Sequence, residues 1–202
     1  MRLAQVRKVV CFFASVLPLV YLVYLVYRYS SGDPAALGAD PGKEIVLFLG
    51  GWALVLLLVT LSVSPLQDLL KVKLVPLRRM LGLFAFLYAA LHVSAYCVFL
   101  LGLDFAALWA EVVKRPYITV GMLAFLGMVP MALTSTRGMQ RRLGKSWKKL
   151  HRLIYPIAFL VIIHFFWQTR SDFTEPLMYS AALALLMGQR LLKDVRSRRA
   201  RG

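Results

Sequence analysis

Three histidines stand in otherwise apolar stretches of this chain, and they are the side chains best suited to carry chemistry. His151 and His164 lie in one stretch, residues 147–167, and His92 lies alone in another apolar run. A histidine placed in hydrocarbon usually faces the interior of a helix bundle, where it binds a ligand or marks a functional path. The three imidazoles are therefore the candidate functional groups.

Two of these histidines lie at similar depths in their runs. His92 is 12 residues beyond Met80, where the third apolar run begins, and His164 is 14 residues beyond Leu150, where the fifth begins. At 1.5 Å per residue these positions are about 18 Å and about 21 Å along a helix. Since both runs cross in the same direction, His92 and His164 are predicted to face one another between helices.

A pair of neutral imidazoles at equal depth, without a carboxylate or thiolate nearby, suits the axial positions of a b-type haem. The sequence has no CxxCH motif, which excludes covalent c-type attachment. A zinc site fits poorly because zinc needs three or four converging ligands. His151 and His164 are 13 residues apart, about 20 Å along a helix.

His151 lies at the start of the fifth run. At the corresponding depth the third run has no histidine, and Arg78 and Arg79 stand there instead. Arginine stays protonated and is a poor iron ligand, but it binds a haem propionate or a flavin phosphate well. We therefore expect either an incompletely ligated second cofactor at His151 or a histidine bonded to backbone or lipid. His151 and His164 are about 220° apart on an ideal helix, so they share a face only if Pro156 kinks it.

The composition makes the chain an integral membrane protein. Its 202 residues are 60% hydrophobic and only 17% charged, outside the range of a soluble domain. The first apolar run lacks a small-residue cleavage site and is expected to remain as a span. We predict an all-α, six-helix transmembrane bundle forming one domain over 1–202. Its predicted spans are 9–27, 45–63, 80–103, 117–133, 150–167 and 176–192.

The charges indicate the orientation of these spans. The N-terminus, the second and fourth loops and the C-terminus together hold 20 of the 25 cations and two of the nine carboxylates. The positive-inside rule places that side, with both termini, in the cytoplasm. The basic segments are thereby explained by topology and the lipid bilayer and not by nucleic acid, although the fourth loop could also dock an electron donor.

Several short motifs surround the histidines: LTS at 133–135, LG at 143–144, WKKLHRLIYP at 147–156, and His164-Phe165. With these residues the chain resembles the ferric-reductase-like transmembrane family. Members of that family hold b haems between the third and fifth of six helices and pass electrons across a membrane. The resemblance covers essentially the whole chain in length, span count and histidine positions, and the block at 147–156 is its most specific part.

The resemblance implies a set of site residues. The third-helix haem ligand falls on His92, and the fifth-helix pair falls on His151 and His164, which would be the metal-binding residues. Relatives with two stacked haems carry a second third-helix histidine, whereas this chain has Arg78 there. One haem b is thus expected, and a second haem or FMN, with Arg78 and Arg79 beside it, remains open.

The resemblance also implies partners. The acceptor would be a periplasmic molybdopterin-containing reductase subunit that repairs oxidised methionine in proteins, and the donor a cytoplasmic flavin reductase or a membrane quinol. The chain would then be a multi-pass electron-transfer subunit of the bacterial inner membrane. The sequence shows no paired carboxylates, nucleophile triad or phosphate-binding loop that would indicate substrate chemistry of its own. The alternatives are a quinol-oxidising cytochrome b subunit, with a pocket near Gln67 and Asp68, and a non-redox membrane adaptor.

Overall fold

The computed structural model describes residues 2–199, and within that range the chain is helical without any strand. The nine α-helices of the described range are α1 Arg2–Ser30, α2 Pro41–Leu70, α3 Val75–Ala95, α4 Phe105–Lys114, α5 Pro116–Leu133, α6 Arg137–Leu143, α7 Lys145–His151, α8 Ile154–Gln168 and α9 Thr174–Arg199. A short 3₁₀ turn, Pro34–Ala36, precedes α2, and a π-helical turn, Tyr96–Leu100, extends α3.

Five helical segments in the described residues are long and apolar enough to cross a membrane. They contain α1, α2, α3, α5 and, as one segment, α7 with α8. The predicted all-helical membrane class is therefore confirmed. The sixth predicted span, 176–192, lies inside α9, which does not meet the same criterion because its apolar part passes into the basic residues that begin at Arg190.

The connection between α3 and α5, which falls between the third and fourth predicted spans, is itself helical. It contains α4, whose first turn is capped by Asp104, since its Oδ1 accepts the N–H groups of Ala106 and Ala107 at 2.8 and 3.0 Å. The fourth loop is also helical. Gly144, at φ 51° and ψ −118°, separates α6 from α7 in a conformation that favours glycine.

The helices pack as two principal pairs, α2 on α3 and α5 on α8. α9 packs on α2 and α8, and its basic end is fixed to α2 by an ion pair of Lys193 with Asp68 at 2.5 Å. One turn earlier, the Arg190 Nη2 donates to the carbonyl of the fully buried Leu61 at 2.5 Å. That carbonyl has no helical donor, because the residue four positions later is Pro65.

Candidate functional site

His92 lies near the end of α3 and is held by α2. Its Nδ1 is 2.8 Å from the carbonyl oxygen of Val46. A carbonyl oxygen only accepts hydrogen bonds, so Nδ1 carries the proton and donates it. The remaining nitrogen, Nε2, therefore keeps its lone pair, which is the arrangement that a backbone carbonyl bonded to Nδ1 imposes on metal-binding histidines.

His164 is held in the same way on the other helix pair. From α8, its Nδ1 donates to the carbonyl oxygen of Tyr117 on α5 at 2.6 Å. The Tyr117 ring also lies against the imidazole, with ring centroids 6.1 Å apart. The lone pair of His164 Nε2 is thereby also left available.

The structure brings the rings of His92 and His164 together, with centroids 6.3 Å apart and planes at 84°. Neither Nε2 makes a hydrogen bond within the described residues. Neither of the two atoms is among the fully buried polar atoms that lack a partner there. A metal binds an imidazole nitrogen at about 2 Å and the ring centroid lies about 1 Å farther, so one metal between two imidazoles separates their centroids by about 6 Å. The centroid distance of the pair therefore fits one metal held between two imidazoles.

Other protein ligands for such a metal are absent from the described part of the chain, where no group of three or more His, Cys, Asp or Glu side chains converges. Two imidazoles alone do not complete the shell of a bound metal ion. They do complete the axial positions of an iron whose other four ligands come from a porphyrin. The donor set thus fits a haem better than a free ion.

His151 occupies a different segment from His164. It ends α7, and residues 152–153 form a turn before α8 begins. The break therefore comes three residues before Pro156, not as a kink at it. The cause is the missing N–H of Pro156, which leaves the carbonyl of Arg152 without its helical donor.

The imidazole of His151 is fixed by Trp147, one turn earlier on α7. Its Nδ1 donates to the Trp147 carbonyl at 3.1 Å, and the two rings stack with centroids 3.9 Å apart. The indole Nε1 in turn donates to the carbonyl of Thr134 at 3.0 Å. His151 Nε2 is buried and has no hydrogen-bond partner in the described part of the chain. The Met131 carbonyl also lies near the ring, but in the tautomer that donates from Nδ1 to Trp147 the lone pair of Nε2 is available to a ligand.

The two arginines predicted at the inner site lie in the first turns of α3. Arg78 is partly buried and within electrostatic range of His151, whereas Arg79 is exposed. Neither of them forms an ion pair with any described residue. The charge of Arg78 thus acts on His151, whereas no hydrogen bond or ion pair among the described residues links Arg79 to the site.

A polar cluster beside His164 was missed by the sequence reasoning. Glu111 on α4 binds Arg115 through an ion pair at 2.5 Å and accepts a hydrogen bond from the Tyr96 hydroxyl at 3.3 Å. Arg115 also donates to the Tyr117 hydroxyl at 3.3 Å. This bond and the Glu111 carboxylate raise the pKa of Arg115. The i,i+4 spacing of Glu111 and Arg115 could have revealed their pairing.

Comparison of the sequence with those of known proteins identifies related proteins. A family model described as "Ferric reductase like transmembrane component" matches residues 49–162. A protein of Xanthomonas campestris pv. campestris named "Protein-methionine-sulfoxide reductase heme-binding subunit MsrQ" is 47% identical over 187 residues, which cover 90% of this chain and 84% of the relative. A Rhodospirillum rubrum protein of the same name is 45% identical, covering 97% of this chain and 92% of the relative.

No solved structure matches the chain. The family match covers most of both helix pairs and includes His92 and His151, with His164 two residues beyond its end, and the identities extend over 84% and 92% of the two relatives. The chain therefore belongs to the ferric-reductase-like transmembrane family, in its group of MsrQ subunits.

Proposed function

We propose that this chain is a membrane-bound b-type cytochrome subunit that passes electrons from the cytoplasmic side to a periplasmic methionine sulfoxide reductase. The observation that carries the proposal is the pair His92 and His164, two neutral imidazoles with free Nε2 atoms and centroids 6.3 Å apart. The relatives' names, which refer to haem binding and to methionine sulfoxide reductase, support the same reading.

In this proposal His92 and His164 hold one haem b in the outer half of the membrane. The haem supplies one-electron transfer through its iron. The chain's own contribution is to bind it at two fixed imidazoles, each anchored to a backbone carbonyl on a neighbouring helix. The apolar surroundings of the pair keep bulk water from the site and influence the redox potential.

The proposed topology determines on which side of the membrane each histidine site lies. The contacts of Arg190 and Lys193 with α2 keep the basic end of α9 beside the α2–α3 connection, which supports α9 as a sixth span and both termini in the cytoplasm. At 26 residues α9 is about 39 Å long, enough for the hydrocarbon core. His92 and His164 then lie nearer the periplasm and His151 nearer the cytoplasm.

His151 is proposed as the entry site for electrons. Its buried, unpartnered Nε2 offers a ligand atom, and Arg78 offers a positive charge for the propionate or phosphate of a second cofactor. These two residues are one ligand short of a second bis-histidine haem. FMN at this site stays a prediction from the sequence, because the names of the relatives mention haem alone.

The periplasmic partner is proposed to be the molybdopterin-containing subunit predicted from the sequence, and the donor to be a cytoplasmic flavin reductase. The quinol alternative required a pocket at Gln67 and Asp68, and an open cavity of ≈ 420 Å³ does lie there. However, Gln67 Oε1 already accepts the N–H groups of Leu74 and Val75 at 3.0 and 3.1 Å, and Asp68 pairs with Lys193. Both polar groups therefore serve the fold.

The function can be tested by reconstitution. Purified protein in proteoliposomes should contain haem b and become reduced by a flavin reductase with its nicotinamide donor outside a vesicle that exposes the basic loops. Addition of the molybdopterin partner to the opposite side should reoxidise it when methionine sulfoxide is supplied. Protein free of haem after growth with ample haem would instead favour the non-redox adaptor.

A further inference from the structure

Each proposed axial imidazole lies directly against a glycine of the neighbouring helix. A Cβ atom placed on Gly50 of α2 would lie 2.9 Å from both Nδ1 and Cε1 of His92. A Cβ carbon essentially never lies so close to a non-bonded ring atom, so the ring would have to move. The glycine thus creates the space that lets His92 reach the carbonyl of Val46.

The second imidazole has the same support on the other helix pair. A Cβ atom on Gly121 of α5 would lie 2.6 Å from Nδ1 and 2.8 Å from Cε1 of His164. The carbonyl that accepts the His164 proton belongs to Tyr117, four residues before Gly121. Val46 likewise precedes Gly50 by four residues.

The two sites therefore use one arrangement: a carbonyl at position i accepts the Nδ1 proton, and a glycine at position i+4 opens the helix surface beside that carbonyl. One turn of an α-helix separates i from i+4, so both residues lie on the same face. A side chain at i+4 would cover the carbonyl from which the imidazole takes its orientation.

We propose that Gly50 and Gly121 are positioning residues that set the orientation, tautomer and electron donation of the two axial imidazoles. This inference rests on the proposed haem function. A hydrogen bond from Nδ1 to a carbonyl raises the basicity of the imidazole, which stabilises oxidised iron and lowers the midpoint potential. Displacing either ring weakens that bond, so the potential should rise.

The chain provides matched controls for this effect. Gly51 adjoins Gly50, yet a Cβ there meets nothing within 4 Å. Gly127 lies on α5 like Gly121, and a Cβ there would press on Ile157 at 3.1 Å without touching a histidine. Gly51→Ala therefore controls for loss of glycine alone, and Gly127→Ala controls for tight packing in the same helix.

The test is a redox titration with EPR of the oxidised protein for the wild type, the two site variants Gly50→Ala and Gly121→Ala, and the two controls. We expect a higher midpoint potential and altered EPR g-values, or loss of haem, in the site variants only. Wild-type values in both site variants, or equal changes in all four variants, would overturn the inference. Absence of haem from the wild type would instead contradict the proposed function.

A measurement on the wild type covers the case in which a site variant does not fold. Reduced, ¹⁵N-histidine-labelled protein should show a protonated, hydrogen-bonded Nδ1 at both His92 and His164. A bare Nδ1 at either histidine would contradict the proposed arrangement whatever the variants do.

Discussion

Arg190 of α9 donates a hydrogen bond across the bundle to the carbonyl of Leu61, the one α2 carbonyl that Pro65 deprives of its helical donor. The same guanidinium donates to the hydroxyl of Tyr155 and lies 5.0 Å from the centre of its ring. One side chain thus joins α9 to α2 and to the first turn of α8.

This contact predicts a coupling between Arg190 and Pro65. Arg190→Met should destabilise the protein by about 1–3 kcal/mol, because a buried carbonyl is left without a partner. In a Pro65→Ala background the same change should cost less, since the new N–H can bond the Leu61 carbonyl. Thermal unfolding in detergent measures both costs, with the exposed Arg196→Met as the control. Equal costs in the two backgrounds would refute the coupling.

Gly144 and Gly138 should respond in opposite ways to alanine. Gly144 has φ 51°, which alanine adopts only with strain of about 1–3 kcal/mol. Gly138 is inside α6 with open space around it, so alanine there should stabilise the helix by about 1 kcal/mol. Melting temperatures of the two variants check this, and a neutral Gly144→Ala would contradict the described separation of α6 from α7.

The perpendicular rings of His92 and His164 predict a particular EPR spectrum. If His92 and His164 keep their angle of 84° when they bind a haem, the two iron orbitals that interact with the imidazoles would be nearly equal in energy. The oxidised haem should therefore give a strongly anisotropic low-spin signal. A rhombic signal typical of parallel imidazoles would show that the rings turn when the haem binds.

His151→Phe should separate the two proposed sites. Phenylalanine keeps a ring against Trp147 but removes the buried Nε2, which has no partner in the described residues. The haem between His92 and His164 should remain, whereas any cofactor at the entry site should be lost. Haem per polypeptide, compared with the wild type, is the measurement. Loss of all haem from a folded variant would contradict two independent sites.

The sequence predicted those parts of the site that depend on distance along a helix. The similar depth of His92 and His164 follows from residue numbering, and the charge distribution among the loops follows from the positions of the charged residues between the spans. The structure places the two rings opposite each other, as equal depth requires. The helical membrane class was likewise predictable, because apolar runs of nearly twenty residues leave few other structures open to the chain.

The remaining features depend on contacts between helices and could not be read from spacing. Gly50 and Gly121 resemble other span glycines in the sequence, and only the position of an imidazole beside each distinguishes them from Gly51. The sequence marked Pro156 as a residue that could kink this stretch but did not predict where the helix is interrupted; the break lies at residues 152–153, since proline removes the bond to the residue four positions earlier. α4 was missed because its ten residues are too few for a span.

The central claim is that His92 and His164 together hold one haem b, and reduced-minus-oxidised absorption spectra test it most directly. The wild type should show b-type bands, and His92→Ala and His164→Ala should each lose the low-spin signal of that haem. Circular dichroism would establish that both variants keep their helices. An unchanged b-haem spectrum in both folded variants would contradict the account.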